Sequence, residues 1–125
     1  MNKRILIIED ESALQDALGE TFSAKGYEVE RAMDGDAGVS MAKVKIPDVV
    51  ILDLILPKKS GFEVLEELKK DSSTKNIPIL VLTNLEGSAD VERALTGGAT
   101  TYLVKTNYSL NEIVNKTESL LAHGS

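Results

Sequence analysis

The sequence predicts an α/β fold in which five parallel strands form one sheet, in the order 2-1-3-4-5, with five helices on both faces. Four short apolar runs, at 5–8, 49–52, 79–82 and 102–104, are the main basis for this prediction. They lack polar alternation, as is typical of strands buried on both faces of a parallel sheet. Amphipathic segments and short connections separate them. With a less apolar strand predicted at 27–32, the chain has five strand–helix units, and this number favours the order 2-1-3-4-5 over the longer dinucleotide-binding order.

Caps and residue spacing predict the first two helices and the second strand. After the first strand, Ser12 is predicted to cap a helix that Gly26 ends. Residues 27–32 alternate between polar and apolar, which predicts a half-exposed strand at an edge of the sheet. A second helix is predicted over about 36–44. Its apolar side consists of Ala37, Met41 and Val44.

Prolines introduce the third and fourth strands. Pro47 precedes the segment 48–53, and Pro78 precedes the strand that ends at Thr83. Between them, 61–70 is predicted to be a helix because its apolar residues keep helical spacing. The residues expected to face inward are Phe62, Leu65 and Leu68.

The last two units follow the same pattern. Ser88 opens the fourth helix, and the glycine pair at 97–98 is predicted to terminate it. Its apolar residues are Val91, Ala94 and Leu95. Residues 101–104 form the last predicted strand, and a final helix follows. The inward residues of that helix are Leu110, Ile113, Val114, Thr117, Leu120 and Leu121.

Length, charge and composition predict one soluble domain that does not bind nucleic acid directly. At 125 residues the chain fits a single domain, 1–125, and it contains no cysteine. The net charge of −6 and the presence of only five aromatic residues argue against direct nucleic-acid binding. The first apolar run is far shorter than a membrane span. We therefore expect a cytoplasmic protein.

Polar residues that suit phosphoryl chemistry follow four of the predicted strands. They are Glu9 with Asp10, Asp53, Thr83 and Lys105. In a parallel sheet the carboxyl ends of the strands share one edge, so these residues are expected to form one site. Two carboxylates about 5 Å apart repel by about 3 kcal/mol at an effective dielectric constant of about 20, so the site needs a cation. Oxygen ligands favour Mg²⁺, with Glu9, Asp10 and Asp53 as its ligands or the neighbours of its ligands.

Asp53 is placed to act as a nucleophile towards phosphorus and to form an aspartyl phosphate. The transferred group has three equatorial oxygens whose charge must be neutralised. Three groups would each neutralise one of these oxygens. They are Mg²⁺, the Lys105 ammonium, and either the Thr83 hydroxyl or a backbone N–H. Nucleotide binding is not expected, because the segment after the first strand is acidic and lacks glycine.

The same residues resemble the receiver domain of two-component response regulators over nearly the whole chain. The matching segments are 5–11, 47–53 with Pro57 and Gly61, 78–83, and 98–99 with 102–105. The resemblance is to single-domain receivers of the chemotaxis and sporulation type, which have the flavodoxin-like strand order. It implies that a histidine kinase or phosphotransfer protein phosphorylates Asp53, and that the protein is not an enzyme beyond its own phosphorylation and dephosphorylation.

The resemblance also implies roles for individual residues. Asp10 would bind Mg²⁺ directly, Glu9 through water, and Ile55 through its backbone carbonyl. Thr83 and Tyr102 would form the switch that follows phosphorylation. The altered surface would be the fourth helix, fifth strand and fifth helix, which would control binding to a downstream protein target and would also allow a homodimer.

Three positions depart from the family pattern. Glu9 stands where Asp is commoner, and Asn84 where a smaller residue is usual. Thr106 replaces a proline that commonly follows the lysine through a cis bond. A cis bond to a residue other than proline costs about 3 kcal/mol, so we expect either a trans bond with a shifted loop or a strained cis bond.

Two other functions are compatible with the sequence. One is a Mg²⁺-dependent phosphohydrolase that forms an aspartyl phosphate while acting on external substrates. The other is an interaction domain that works without phosphorylation. The combination of Asp10, Asp53, Thr83 and Lys105 favours the receiver over both.

Overall fold

A computed structural model describes residues 2–123 and contains five parallel strands, all in one sheet, and five α-helices. The strand order is β2-β1-β3-β4-β5, so the predicted fold class is confirmed. The elements are β1 (Arg4–Ile8), α1 (Ser12–Ala24), β2 (Glu28–Ala32), α2 (Gly35–Lys45), β3 (Val49–Leu52), α3 (Gly61–Lys70), β4 (Ile79–Thr83), α4 (Ser88–Thr96), β5 (Thr101–Val104) and α5 (Leu110–His123).

The sheet separates two hydrophobic cores because successive side chains of a strand point to opposite faces. Leu6 and Ile8 of β1 belong to the core that also contains buried residues of α2, α3 and α4. Ile5 and Ile7 belong to the other core, with buried residues of α1 and α5. All of these strand residues are fully buried, which explains why the strands show no polar alternation.

The register of the sheet brings the ends of the strands to one edge. Ile8 is paired with Leu52, and Leu52 with Val81. Further along the sheet, Thr83 is paired with Val104. The residues that follow these positions therefore lie side by side along the carboxyl edge, as the sequence predicted.

The predicted cap of the first helix is wrong. Ser12 is the first residue of α1, and the cap position is Glu11, whose extended backbone makes no side-chain cap hydrogen bond. The cause is local, because the Glu11 N–H donates to the Glu9 carboxylate and fixes the turn one residue earlier. The predicted glycine stops are confirmed: Gly26 and Gly98 follow α1 and α4 with φ of 96° and 111°.

Phe62 and Leu95, apolar residues of α3 and α4, are not fully buried. Leu95 of α4 is 47% exposed, and Ala94 is the only buried residue of that helix. Phe62 of α3 is half-buried, with the Arg93 guanidinium carbon 4.1 Å from its ring centroid, and Val64 is buried instead. Phe62 lies where α3 and α4 meet and packs against the margin of the core.

The bond between Lys105 and Thr106 is trans, since none of the peptide bonds described in 2–123 is cis. A 3₁₀ turn at Lys105–Asn107 follows β5 directly and begins the loop that connects β5 to α5. The trans alternative of the prediction is therefore confirmed. Over the same residues, no helix is both long enough and apolar enough to span a bilayer.

Candidate functional site

Three carboxylates meet at the carboxyl edge of the sheet. Glu9 and Asp10 follow β1, Asp53 follows β3, and one oxygen from each lies within 4.8 Å of the others. Glu9 and Asp53 are buried, with 2% and 5% exposure, whereas Asp10 is exposed to solvent. The group is therefore open on one side and enclosed on the other.

Lys105 joins this group from the end of β5. Its Nζ lies 2.8 Å from Glu9 Oε1 and 2.8 Å from Asp53 Oδ2. A third carboxylate, that of Glu11, lies 3.2 Å from the same nitrogen. The site thus contains one ammonium group among four carboxylates and has a net negative charge.

Burial and ion pairing shift the pKa values of two of these groups. Burial raises the pKa of Glu9 from 4.5 to about 7, although the Lys105 ammonium and the Glu11 N–H favour its charged form. Burial alone would lower the pKa of Lys105, but hydrogen bonds from its ammonium to Asp53 and Glu9 outweigh burial and raise that pKa. Lys105 is therefore charged at neutral pH, and Glu9 lacks enough positive charge nearby to stay fully ionised.

Backbone and side-chain donors orient both buried carboxylates. The Ile55 N–H donates to Asp53 Oδ1 at 3.1 Å, and the Glu11 N–H donates to Glu9 Oε2 at 3.0 Å. Gln15 Nε2 donates to the backbone carbonyl oxygens of Glu9 and Ala32, each at 2.9 Å. These contacts fix where the carboxylates point before any ligand binds.

Sequence reasoning missed Gln15 as a supporting residue. Gln15 is buried on the inward side of α1, together with Leu18 and Phe22. Those three residues have the i, i+3, i+7 spacing of one helix face, so a polar residue at a core position was the signal that could have found it.

Thr83 and Tyr102 lie on the neighbouring strands. The Thr83 side chain is fully buried, and its hydroxyl oxygen accepts a hydrogen bond from the Leu85 N–H at 3.5 Å. The Tyr102 hydroxyl donates to the Leu85 carbonyl oxygen at 2.8 Å. Both predicted switch residues therefore contact the same loop, the one between β4 and α4.

The remaining predicted positions lie around the rim of the site. Ile55 is 56% exposed beside Asp53, and Asn84 and Thr106 are exposed. No histidine or cysteine lies among the three grouped carboxylates. An open set of oxygen donors with an excess of negative charge fits a hard divalent cation.

The comparison with protein families decides the identity. The model of the response regulator receiver domain matches residues 5–118. The chain belongs to this family. As a receiver domain of two-component response regulators, it has relatives among response regulators and structural neighbours among CheY-like proteins.

One curated relative of the receiver is the DNA-binding dual master transcriptional regulator RpaA of Synechocystis. The two are 38% identical over 118 residues, which is 94% of this chain. The chain spans 48% of the length of RpaA, and 23% of the length of the related response regulator PleD of Caulobacter vibrioides.

Solved structures of receivers have the same fold. A CheY-like receiver domain protein of Methanospirillum hungatei is 25% identical, with a TM-score of 0.90 over 98% of this chain and 95% of its own. The response regulator Rcp1, solved in its Mn²⁺-bound form, is 30% identical with a TM-score of 0.78. That match covers 97% of this chain and 93% of Rcp1.

Proposed function

We propose that Asp53 is the phosphoacceptor of this receiver domain and that its phosphorylation controls the binding of a protein partner. The observation on which this rests is the environment of Asp53. It is a buried carboxylate at a strand end, 2.8 Å from the Lys105 ammonium and grouped with Glu9 and Asp10. Membership of the receiver family supports the same assignment.

The proposed reaction needs one nucleophile and no proton from the protein. A carboxylate oxygen of Asp53 forms a bond to phosphorus while the P–N bond of a phosphohistidine breaks, and the electron pair stays on the imidazole. With acetyl phosphate, the P–O bond to the acetyl group breaks and acetate leaves. Lys105 donates an N–H to one phosphoryl oxygen, and Thr83 or a nearby backbone N–H donates to another.

We propose that Mg²⁺ binds beside Asp53. Glu9, Asp10 and Asp53 supply carboxylate oxygens, and the Ile55 backbone carbonyl completes the proposed ligand set. The net negative charge and the raised pKa of Glu9 support this fit. When bound, the cation neutralises charge on the carboxylates and on the phosphoryl oxygens. The Mn²⁺-bound form of the similar regulator Rcp1 supports a divalent cation.

The proposed switch connects Asp53 to α4 through the loop after β4. Thr83 moves towards the phosphoryl group, and Tyr102 follows inward, so the hydrogen bonds of both residues to Leu85 change. The surface formed by α4, β5 and α5 then binds differently to its target. The exposed Leu95 and the single buried residue of α4 suit a helix that shifts easily.

The proposed partners are proteins. A histidine kinase or phosphotransfer protein donates the phosphoryl group, and a downstream protein, or a second copy of the chain, reads the altered surface. In this proposal residues 1–125 act as one domain in the cytoplasm. Its catalysis is limited to the phosphorylation and dephosphorylation of Asp53.

Intact-protein mass spectrometry tests the proposal. The protein is incubated with acetyl phosphate and Mg²⁺ beside an Asp53→Asn variant and beside a sample with EDTA. We expect one phosphoryl adduct on the parent, and none on the variant or with EDTA. An equal adduct on Asp53→Asn would contradict the assignment of Asp53. No adduct on the parent from either acetyl phosphate or the cognate kinase would contradict the function.

A further inference from the structure

The Lys105 ammonium has one more carboxylate neighbour than the proposed reaction requires. Its Nζ lies 2.8 Å from Glu9, 2.8 Å from Asp53 and 3.2 Å from Glu11. An ammonium group has three N–H donors, so three carboxylates can occupy all of them. A phosphoryl oxygen on Asp53 must therefore displace at least one carboxylate from Lys105.

Glu11 differs from the other two in having no further role in the proposed chemistry. Asp53 becomes the acyl phosphate, and Glu9 belongs to the carboxylate group that fits a divalent cation. Glu11 lies outside that group, and its side chain is 58% exposed at the rim. It therefore stays close to Lys105 while the other two carboxylates take new partners.

We infer that Glu11 is a positioning residue that holds Lys105 back from the phosphoryl group and thereby slows the phosphorylation of Asp53. This inference rests on the proposed function. Lys105 must then move towards the phosphoryl oxygen against the attraction of Glu11, the one carboxylate of the three that keeps its place. Exposed ion pairs are weak, so the expected effect on the rate is about two- to fivefold.

The backbone of Glu11 has separate tasks that a side-chain substitution leaves in place. Its N–H donates to the Glu9 carboxylate, and its carbonyl oxygen accepts a hydrogen bond from the Gln15 N–H. The side chain makes no cap hydrogen bond to α1. Changing the carboxylate therefore tests the ion pair with Lys105 and not the start of the helix.

The test compares the parent with Glu11→Gln, Glu11→Asp and Glu20→Gln. Glu20→Gln is the matched control, because it removes the same charge from an exposed position further along α1. Glu11→Asp keeps the charge but is one methylene shorter, so it should lose the contact with Lys105. Adduct formation with acetyl phosphate at saturating Mg²⁺ is followed by mass spectrometry. Beryllofluoride, an imitation of the phosphoryl group, is titrated by fluorine NMR.

We expect Glu11→Gln and Glu11→Asp to form the adduct about two- to fivefold faster and to bind beryllofluoride more tightly by a similar factor, with Glu20→Gln close to the parent. A Glu11→Gln rate no higher than that of Glu20→Gln would overturn the inference. So would a Glu11→Asp rate equal to that of the parent, because charge alone would then explain the effect. Failure of the parent itself to form an adduct would instead overturn the proposed function, and the inference with it.

Discussion

At the scale of single residues, Asp53 is distinguished by having both of its carboxylate oxygens held. Lys105 donates to Oδ2, and the Ile55 N–H donates to Oδ1. An acidic residue that only ended a strand or began a loop would not need this arrangement. The orientation is present before any phosphodonor binds, which is how a protein accelerates phosphoryl transfer by positioning.

The apolar side chain of Ile55 leads to a prediction about the lifetime of the phosphorylated state. It is 56% exposed beside Asp53, and an apolar side chain cannot orient a water molecule for attack on phosphorus. We expect Ile55→Asn, which adds a hydrogen-bonding group, to dephosphorylate at least about threefold faster. Loss of the adduct over time, followed by mass spectrometry after removal of the phosphodonor, measures this rate.

Ile55→Val is the matched control, because it stays apolar and should keep the parent rate. Leu85→Glu provides a second polar substitution on the opposite loop. If both polar variants lose the phosphoryl group no faster than the parent, the explanation in terms of water orientation is wrong.

The raised pKa of Glu9 leads to a prediction of how the stability of the metal-free protein depends on pH. Burial raises its pKa from 4.5 to about 7 in the folded state. Between these values the folded state holds a proton that the unfolded state has released. The free energy of unfolding should therefore fall as pH rises from about 4.5 to about 7, by about 2 kcal/mol from this group.

Urea unfolding in EDTA at pH 5 and at pH 7.5 measures this effect. The parent is compared with Glu9→Gln, which is neutral at both pH values and should lose this part of the dependence. The same change with pH in both proteins would show that Glu9 is not the group responsible.

The sequence predicts the reacting residues better than it predicts the residues that position them. Asp53, Thr83 and Lys105 could be found because parallel strands must end at a common edge, whatever the details of packing. Gln15 and Glu11 were missed because a local pattern does not show which polar side chain turns inward or reaches a residue 94 positions away in the chain. The Gln15 contacts depend on how α1 packs against the ends of β1 and β2, and the Glu11 contact depends on the relative placement of α1 and β5.

At the scale of elements, the start of α3 is packed directly against the site. A Cβ atom added to Gly61 would overlap the carbonyl oxygen of Asp53 and the Cα of Leu54. The Gly61 N–H also donates to the Leu54 carbonyl oxygen at 2.9 Å. Only a residue without a side chain allows α3 to begin this close to Asp53.

We therefore expect Gly61→Ala to lower the free energy of unfolding by about 2 kcal/mol and to slow phosphorylation of Asp53, because the backbone on both sides must shift. Gly87→Ala is the matched control. Gly87 has a φ of −61°, and an added Cβ there would meet only the Asp90 carboxylate at 3.4 Å. Its effect should stay within about 1 kcal/mol of the parent. Equal losses in both variants would contradict the packing argument.

Helix patterns predict the interior of an element more reliably than its margins. The existence of all five helices followed from apolar spacing, and α3 has the predicted bounds. The differences concern Ser12, at the start of α1, and Phe62, at the margin between α3 and α4. There, a hydrogen bond from the Glu11 N–H or the approach of Arg93 decides the outcome, and neither is visible in the periodicity.

At the scale of the whole molecule, one core holds two of its helices, α3 and α4, with different firmness. α3 contributes Val64, Leu65 and Leu68 to its core, whereas α4 contributes only Ala94. Regions with few buried apolar contacts open more often than the rest of a fold. We therefore expect α4, which follows the loop after β4, to be attached less firmly than α3.

Hydrogen exchange tests this difference. We expect the interior amides of α4 to exchange at least about tenfold faster than those of α3 in the unphosphorylated protein. Mass spectrometry of peptides after deuterium labelling measures both helices in the same sample, so α3 is an internal control. Equal protection of the α4 and α3 amides from exchange would contradict the proposal that α4 shifts easily.

The central claim is that Asp53 becomes an aspartyl phosphate, and chemical trapping tests it most directly. Borohydride reduces an acyl phosphate to the alcohol, so the protein treated with acetyl phosphate and Mg²⁺ is reduced, digested and sequenced by mass spectrometry. The account predicts homoserine at position 53, dependent on the phosphodonor and on Mg²⁺. Homoserine at another aspartate, or phosphorylated protein with unmodified Asp53, would contradict it.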